Sequence, residues 1–394
     1  MTSLDASALP YADGDFYAFE NLLQGEERDE LLRIRAWLEE NVRPVAVQHW
    51  VDATFPHELV QKVAELDVIS SVRRKGRSNL FAGLVHAEFT RVDASFATFM
   101  GVHDGLFTGT IEALASEEQK AEWLPDIYSF RKIGAFGLTE PEDGSDVAGG
   151  ITTTARRDGD DWVINGAKRW IGNATWSDWV VVFAKDEADG QVKAFLVDTA
   201  ADGYSAEKIE NKISLRTVQN AHITLKDVRV PESRRLAHCN SFKDVNKVLK
   251  VTRLAVAWQA VGVQKAAFDL ARAYAVERKQ FGRPIASFQM IQEQLVEMLG
   301  NVTASTAMMV RLSQLEDAGE AKDEQSALAK AYATARMRET VANGRSIFGG
   351  NGIVADYEIA KVFADAESIY TFEGTHEVNT LVAGRAVTGI SAIV

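Results

Sequence analysis

One carboxylate near the end of the chain lies in an unusual local sequence. Glu373 follows Phe372 and precedes Gly374, and a segment with apolar residues at three- and four-residue spacing comes next. Burial among such neighbours would raise the pKa of a carboxyl group toward neutrality, which a general base at cellular pH requires. An acidic residue also stabilises the first turn of a helix, without any catalytic role. The local sequence alone favours this structural explanation, so the rest of the chain has to decide.

The composition limits the kind of protein that carries this residue. The chain has 394 residues, 46% hydrophobic and 25% charged, and is too long for one ordinary domain. The net charge of −13 argues against a nucleic-acid-binding surface, and no apolar run is long enough to insert into a membrane. The single cysteine, Cys239, and the scattered histidines predict neither an intrachain disulfide nor a metal site.

Both ends of the sequence bear on the cellular location. The first residues, Met-Thr-Ser-Leu-Asp, contain neither the basic nor the apolar segment of a signal peptide. The last three, Ala392-Ile393-Val394, do not form a peroxisomal targeting signal. We therefore expect a cytoplasmic protein.

The N-terminal third has a helical period. Apolar residues form one stripe that is interrupted near Pro44, at Leu31, Ile34, Leu38, Val42 and Val45. Ser116 and Gln119 have the spacing of a capping box before another helix. The pattern predicts a helical domain over residues 1–130.

The period changes near residue 133, where Ile133–Leu138 is typical of a strand. The dipeptide Asn165-Gly166 stands between two strand-like runs, and it predicts a β-hairpin with a type I′ turn. Further strand-like runs follow up to about residue 225. We expect a middle β domain over residues 131–238, arranged as a barrel or sandwich.

Strand signals end near residue 238, and long helical patterns return. They predict a C-terminal four-helix bundle over residues 239–394, which would carry Glu373. The predicted fold is therefore an α+β multidomain protein with a helical domain, a β-barrel domain and a helical bundle.

Four further elements could bind a ligand, although each has a simpler structural explanation. The loop Leu138–Asp146 contains a Gly-Ser pair that could hold a phosphate or a ring edge, or could simply turn. Trp170 could stack on a planar cofactor or pack in a core. The loop Arg278–Gly282 could bind a diphosphate, and the glycines of Phe348–Gly352 could approach a ligand or end a helix.

Taken together and in this order, these elements resemble the acyl-CoA dehydrogenase superfamily from about residue 20 to the end. The resemblance rests on Phe136–Asp146, Trp170-Ile171, Arg278–Gly282, Gly349–Gly352 and Phe372–Thr375. Within the superfamily the chain is most similar to glutaryl-CoA dehydrogenases and plant short-chain acyl-CoA oxidases, through residues 370–376 and 384–389.

The resemblance implies that the protein binds FAD between the β domain and the C-terminal bundle. In the β domain the implied cofactor-binding residues are Phe136, Leu138, Thr139, Gly144, Ser145, Trp170, Ile171 and Gly172. In the bundle they are Arg278, Gln280, Phe281, Gln289, Ile347, Gly349, Gly350, Thr375 and Glu377. Several of these would reach the FAD of a neighbouring subunit, so the resemblance also implies a homotetramer.

By the same resemblance, Glu373 is the catalytic base that removes the α-proton of an acyl-CoA thioester, while the β-hydrogen passes to the flavin as hydride. Some relatives place this base at the position of Thr252, which cannot serve. The implied substrate-binding residues are Ser145, Ala97, Thr98, Leu249, Arg253, Phe372 and Gly374. Arg253 could equally form a surface ion pair. The expected electron acceptor is an electron-transferring flavoprotein.

Two departures from the family pattern affect specificity. Ala97 and Thr90 replace an arginine and a glutamate of the glutaryl-CoA dehydrogenases, and a buried carboxylate without its arginine is costly. We therefore expect a neutral short- to medium-chain substrate without decarboxylation. A glutaryl-CoA dehydrogenase is the alternative that Ala97 disfavours, since a dicarboxylyl substrate would need another cation, such as Arg91, in the pocket. Gly172 replaces a threonine usual in the dehydrogenases and matches the plant oxidases, so an oxidase that passes electrons to O2 is the alternative. A catalytically silent scaffold is a third interpretation, which the intact Glu373 disfavours.

Overall fold

The computed structural model describes residues 14–392, with no side-chain description at 251. The predictions about a signal peptide and a peroxisomal signal rest on residues 1–5 and 392–394, which lie wholly or largely outside the described range. The N-terminal part is helical, as predicted. Its α-helices are α1 (Glu26–Asn41), α2 (Arg43–Asp52), α3 (Glu58–Val63), α4 (Ser71–Lys75), α5 (Asn79–Val92), α6 (Ala94–Gly101), α7 (Gly109–Leu114) and α8 (Glu117–Tyr128).

Two local predictions for these helices are confirmed. The apolar stripe breaks before Pro44, because α1 ends and α2 begins with the proline in its first turn. Ser116 and Gln119 form the capping box of α8, each accepting a hydrogen bond from the other residue's backbone N–H. A π-helical turn, Val102–Thr108, joins α6 to α7, and the sequence pattern did not predict it.

The middle part is a seven-stranded sheet. Its strands are β1 (Gly134–Gly137), β2 (Thr154–Asp158), β3 (Asp161–Ile171), β4 (Trp179–Asp186), β5 (Val192–Asp198), β6 (Tyr204–Lys208) and β7 (Ala221–Pro231), with the short helix α9 (Val147–Gly150) after β1. The strand order is β1-β4-β2-β3-β7-β6, while β5 pairs with β4. β4 is parallel to β1 and β2, and the other pairs are antiparallel.

The predicted hairpin turn at Asn165-Gly166 is wrong, since both residues lie inside the continuous strand β3. The β3–β7 register shifts at this point, and the Asn165 amide pairs with the backbone N–H and carboxylate of Asp227. Gly166 has φ 149°, and a Cβ there would lie 2.7 Å from the Thr153 Cα. The glycine therefore permits a bulge and a close backbone approach rather than a turn.

The C-terminal part is a bundle of long helices. Its elements are α10 (Phe242–Glu277), α11 (Gln289–Asp317), α12 (Asp323–Ile347), α13 (Ile359–Thr371) and α14 (His376–Thr388), with a two-residue strand pair, β8 (Lys279–Gln280) and β9 (Arg283–Pro284), after α10. Glycines bring α10 close to α5, because a Cβ at Gly262 would lie 2.3 Å from the Ala87 carbonyl oxygen. This contact joins the bundle to the N-terminal helices.

A buried ionic cluster marks the place where all parts of the chain meet. The Lys361 ammonium lies 3.0 Å from the carboxylates of both Asp93 and Asp365. The Asp365 carboxylate also accepts hydrogen bonds from the Trp50 indole and the Leu215 backbone N–H, at 2.8 and 2.6 Å. Helix α13 is thereby tied to α2, to the N-terminus of α6 and to the loop before β7.

In residues 14–392, no helix is both long and apolar enough to cross a membrane. Within the same range, no group of three or more histidine, cysteine, aspartate or glutamate side chains could hold a metal ion.

Candidate active site

Glu373 lies at a tight corner between α13 and α14. Its φ angle is 57° and that of Gly374 is 82°, so two successive residues adopt a left-handed conformation. A non-glycine residue reaches this region only at an energetic cost, and such residues are enriched at functional sites. The corner follows directly on the α13 C-terminus, and Thr375 caps α14 by accepting a hydrogen bond from the Val378 N–H.

Hydrogen bonds from buried side chains hold this corner. The Lys330 ammonium donates to the carbonyl oxygens of Tyr370 and Gly374, at 2.8 and 2.7 Å. The Asn379 amide donates to the same Gly374 oxygen at 2.8 Å. Since Lys330 and Asn379 are both buried, these bonds are shielded from water.

The Glu373 carboxyl group is partly buried and directly hydrogen-bonded. The Thr252 hydroxyl on α10 donates to its Oε1 atom at 2.5 Å. Burial raises the pKa of Glu373 above its ordinary value, although the Thr252 hydrogen bond and the positive charges of Arg253 and Lys330 oppose this change. A carboxyl group with a raised pKa and a defined orientation can act as a general base.

The neighbours of Thr252 on α10, Arg253 and Leu249, have different hydrogen-bonding partners. Arg253 forms an ion pair with Asp323 at the start of α12, at 2.5 Å, so its guanidinium is committed within the chain. Leu249 is half-buried one turn earlier, and its carbonyl oxygen lies 3.1 Å from the Thr252 hydroxyl oxygen, as a second and longer acceptor for the one hydroxyl proton. Arg253 therefore acts on Glu373 as a nearby charge, in the ion pair that the sequence pattern left open as an alternative.

The π-helical turn covers Thr252 from the N-terminal side. A Cβ at Gly105 would lie 3.8 Å from the Thr252 methyl carbon, and one at Gly101 would lie 3.5 Å from the Gln259 amide nitrogen. π-helical turns recur at functional sites. Sequence reasoning missed this turn, because it does not change the apolar pattern of a helical segment.

Ala97 and Thr98 occupy different surroundings. Ala97 is buried and lines a small cavity of about 30 Å³ together with His86 and Asp104. Burial raises the pKa of Asp104 to about 7 and lowers that of His86 to about 4. The Thr98 hydroxyl donates to the Ala94 carbonyl on its own helix. The residues that line this cavity do not include Thr252 or Glu373.

The predicted phosphate and ring loop after β1 is anchored by a buried ion pair. Lys168 on β3 donates to the Leu138 carbonyl at 3.1 Å and to the Glu140 carboxylate at 2.7 Å. Burial lowers the pKa of Lys168 to about 8. Burial would raise the pKa of Glu140, but Lys168 and hydrogen bonds from residues 152–153 hold it at about 2. Thr139 lies between the anchored residues and is partly exposed.

Beyond the anchor the loop opens to solvent. Gly144 and Ser145 are exposed, whereas Phe136 and Leu138 at its base are buried in the core beside β4. The loop thus presents backbone and hydroxyl groups on a rigid base. This arrangement fits contacts with a cofactor more closely than it fits a core packing role.

Trp170 stands at the end of β3 with its ring accessible. It is 52% exposed and has φ 66°, and its carbonyl accepts a hydrogen bond from the Asn220 amide. Ile171 and Gly172 are buried, and a Cβ at Gly172 would lie 3.0 Å from a Val102 methyl carbon in the π-helical turn. An exposed indole held on a strained backbone is suited to stack on a planar ring.

A second group of predicted residues surrounds a cleft in the C-terminal bundle with a volume of about 530 Å³. The predicted residues in its lining are Arg278, Gln280, Phe281, Ile347, Gly349 and Gly350. Phe281 is 93% exposed and has φ 50°. A guanidinium, an aromatic ring and bare glycine backbone fit an aromatic anion such as a nucleotide.

Three predicted residues lie elsewhere. Gln289 begins α11 and is exposed without lining the cleft, and Glu377 is exposed on the first turn of α14. Thr375 serves as the cap of α14. Sequence reasoning also missed cleft residues such as Tyr274, whose ring stacks on Phe348 with centroids 4.0 Å apart. Their helical spacing resembles that of ordinary core residues, which hides them.

Comparison with known families agrees with this architecture. The N-terminal, middle and C-terminal domains of acyl-CoA dehydrogenases match residues 25–131, 135–228 and 242–388. Since these matches account for most of the chain, and relatives more than 30% identical match over most of their length, the protein belongs to the acyl-CoA dehydrogenase family.

Individual relatives extend over nearly the whole molecule. The short-chain specific acyl-CoA dehydrogenase of Mus musculus mitochondria is 32% identical over 90% of this chain and 89% of its own. The CarC subunit of the caffeyl-CoA reductase–Etf complex of Acetobacterium woodii is 34% identical over 83% of this chain and 89% of its own. A glutaryl-CoA dehydrogenase of Mycobacterium smegmatis, solved with FADH2, superposes with a TM-score of 0.94 at 31% identity, covering 98% of this chain and 100% of that one.

Proposed function

We propose that the protein oxidises a short- to medium-chain acyl-CoA to the trans-2-enoyl-CoA, with FAD as cofactor and Glu373 as base. The observation that carries the proposal is the Glu373 corner. A carboxyl group with a raised pKa is held on a strained backbone and is oriented by the Thr252 hydroxyl. Membership of the acyl-CoA dehydrogenase family supports the same chemistry.

The donor set of this chain fits FAD. The exposed Trp170 ring and the anchored 138–145 loop would hold the flavin, and the 530 Å³ cleft with Arg278 and Gly349-Gly350 would hold the adenosine diphosphate part of a FAD. The M. smegmatis relative, which was solved with FADH2, supports this assignment. When bound, FAD supplies a two-electron oxidant that accepts the β-hydrogen as hydride.

The chain's own part of the reaction is the handling of the α-proton. Glu373 takes this proton onto its carboxylate. Its raised pKa lies closer to the pKa of the weakly acidic α-proton of the thioester, which makes the transfer less unfavourable. The Thr252 hydrogen bond fixes the Oε1 atom, so that Oε2 is left to accept the proton. Burial of the carboxyl group keeps it in a low-dielectric site, where its basicity is higher than in water.

A neutral acyl chain is the proposed substrate. Ala97 stands where the glutaryl-CoA dehydrogenases have the arginine that balances a distal carboxylate. A dicarboxylyl chain would therefore bring a carboxylate into the site without that cation, which is costly. The resemblance to a glutaryl-CoA dehydrogenase then reflects a common fold and base, with a different tail pocket.

For the electron acceptor we propose an electron-transferring flavoprotein, as the Etf-linked CarC relative suggests. The alternative is an oxidase that reduces O2, and the crowded backbone at Gly172 is the observation in its favour. A threonine there would press against Val102, so the hydroxyl usual in the dehydrogenases has no room without a shift of that side chain.

Assembly into a homotetramer is also proposed, because the bundle and the linkers between its helices expose large apolar side chains. These are Phe281, Met290, Val296, Ile353, Val387 and Ile390. Exposed apolar groups of this size are typical of interfaces between subunits.

An anaerobic titration of the FAD-loaded protein tests the function. Addition of butyryl-CoA or hexanoyl-CoA should bleach the visible flavin band. The Glu373→Gln variant should retain FAD, but its flavin should bleach about 10²–10⁴-fold more slowly. If the wild-type flavin stays oxidised with both substrates, the proposal is wrong. Turnover retained in Glu373→Gln would place the base elsewhere.

The same samples separate the alternatives. Fast recolouring in air with stoichiometric peroxide would indicate an oxidase, and slow recolouring a dehydrogenase. Glutaryl-CoA should bleach the flavin poorly and release no carbon dioxide. Efficient formation of crotonyl-CoA from it would contradict the specificity proposed from Ala97.

A further inference from the structure

A buried lysine lies directly beneath the proposed base. Lys330 is in the N-terminal half of α12 and has no exposed surface. Its ammonium is hydrogen-bonded to the main-chain carbonyls of Tyr370 and Gly374, at 2.8 and 2.7 Å. These two carbonyls bracket Glu373, three residues before it and one after it.

The two bonds hold the corner in different ways. The Tyr370 carbonyl belongs to the last turn of α13, where carbonyls have no partner within the helix, and a cation there also suits the helix dipole. The Gly374 carbonyl lies on the far side of the left-handed pair, where the backbone would otherwise relax. One ammonium group therefore ties both ends of the strained segment to α12.

The charge on Lys330 also faces the Glu373 carboxylate. The other charged groups around Lys330 are Glu377 on α14 and Arg253 on α10, and Arg253 is paired with Asp323. Burial lowers the pKa of Lys330 to about 8, although Glu373 and Glu377 oppose this change. Below that pH the ammonium is charged and favours the ionised form of Glu373.

We propose that Lys330 is a positioning residue for the base: its ammonium fixes the Glu373 corner through the Tyr370 and Gly374 carbonyls and stabilises the carboxylate that accepts the α-proton. This inference rests on the proposed function of Glu373. It adds a residue on a different helix, 43 positions earlier in the chain, to the groups on which proton removal depends.

Three variants separate the charge of Lys330 from its hydrogen bonds. Lys330→Met removes the ammonium and keeps the length of the side chain, and Lys330→Arg keeps a cation. Asn379→Leu is the matched control, because it removes a neutral donor from the same Gly374 carbonyl and leaves every charge in place.

For each FAD-loaded variant, kcat/KM is measured against pH. A second readout uses an acyl-CoA with sulfur in place of the β-carbon, which can lose its α-proton but cannot donate a hydride. The long-wavelength band that its anion forms over oxidised flavin then reports proton removal without turnover. Thermal unfolding and flavin content show whether each variant is folded and loaded.

We expect Lys330→Met to slow flavin reduction on the order of a hundredfold, as a displaced catalytic group does. The acidic limb of its kcat/KM profile should move to higher pH by roughly one unit, because Glu373 loses a stabilising cation. Lys330→Arg should recover most of the rate and an acidic limb near that of the wild type. Asn379→Leu should lower the rate less and leave the limb in place.

An acidic limb that is the same in Lys330→Met and wild type, with a rate loss no larger than in Asn379→Leu, would overturn the inference. If Lys330→Met does not fold, Lys330→Arg decides. If the acidic limb of Lys330→Arg moves to higher pH and the variant also removes less of the α-proton of the thia analogue than the wild type does, a cation at this position does not determine the pKa of the base. Failure of the proposed function is distinguishable, because the wild-type flavin would then not bleach with any acyl-CoA.

Discussion

Two buried lysines anchor the two halves of the candidate site, and they differ in their partners. Lys168 holds the loop after β1 through the Glu140 carboxylate, and Lys330 holds the Glu373 corner through carbonyl oxygens alone. Burial lowers the pKa of both ammonium groups to about 8. The charge of Lys168 is neutralised by the Glu140 carboxylate, whereas the charge of Lys330 has no carboxylate in direct contact among the described residues and can act on Glu373. The same residue type therefore serves stability in one region and, in our proposal, the protonation of the base in the other.

The largest effect that would test this difference is expected at Lys168. Lys168→Met leaves the buried Glu140 without its cation, and breaking a buried pair in this way destabilises by about 3–5 kcal/mol. Lys330→Met should destabilise less, because no carboxylate of a buried ion pair is orphaned and the Gly374 carbonyl keeps the Asn379 donor. Urea unfolding of both variants measures the ranking. A greater loss of unfolding free energy in Lys330→Met than in Lys168→Met would contradict the different roles assigned to the two lysines.

The next effect concerns stability in acid. Lys168 and its hydrogen-bonding neighbours hold the pKa of Glu140 at about 2 against an ordinary value of 4.5, so its contribution is fully present above pH 4.5 and is lost as the pH falls toward 2. The loss amounts to about 3 kcal/mol, because each pH unit between the folded and unfolded pKa values corresponds to about 1.36 kcal/mol. Unfolding free energies of wild type and Glu140→Gln should converge as the pH falls through this window. A constant difference between them would contradict the assignment.

The smallest effect is expected at Thr252, which modifies Glu373 without a charge. Thr252→Val removes the donor to Oε1 and keeps the shape of the side chain. Because that hydrogen bond lowers the pKa of Glu373, its loss should move the acidic limb of kcat/KM upward by about one pH unit. Stability should change little. If the limb stays in place while Lys330→Met moves it, the cation alone sets the protonation of the base.

The sequence was sufficient for the overall architecture, because helix and strand periods are strong over long segments such as α12 and β4. It failed at Asn165-Gly166, since the same dipeptide serves a tight turn or a bulge, and only the approach of Thr153 decides between them. The sequence also did not indicate a local change in helix geometry. The π-helical turn at 102–108 has no signal in a simple 3.6-residue pattern.

The site was only partly predictable for a related reason. Resemblance pointed to Glu373 and to the elements proposed to bind the cofactor, and the assignment of the base to Glu373 rather than Thr252 stays a prediction. It did not reveal that Thr252 donates a hydrogen bond to Glu373, because the two residues are 121 positions apart. Lys330 was missed since a lysine within an alanine-rich helix has the pattern of a solvated residue. Partnership across helices is a property of packing, which local sequence does not encode.

The ionic cluster around Lys361 has a consequence for how such a protein can be altered. Asp365 lies eight residues before Glu373 on the helix that leads to the corner, and it is bonded to Trp50 in the N-terminal part and to the backbone of Leu215 in the loop before β7. The orientation of α13 is therefore a joint product of the whole chain. Exchange of the C-terminal part with that of a relative would transfer the proposed base but not the contacts that orient it, unless Asp93, Trp50 and the 214–215 turn were exchanged as well. Recombination of these domains, in evolution or in the laboratory, therefore has to preserve the contacts between them.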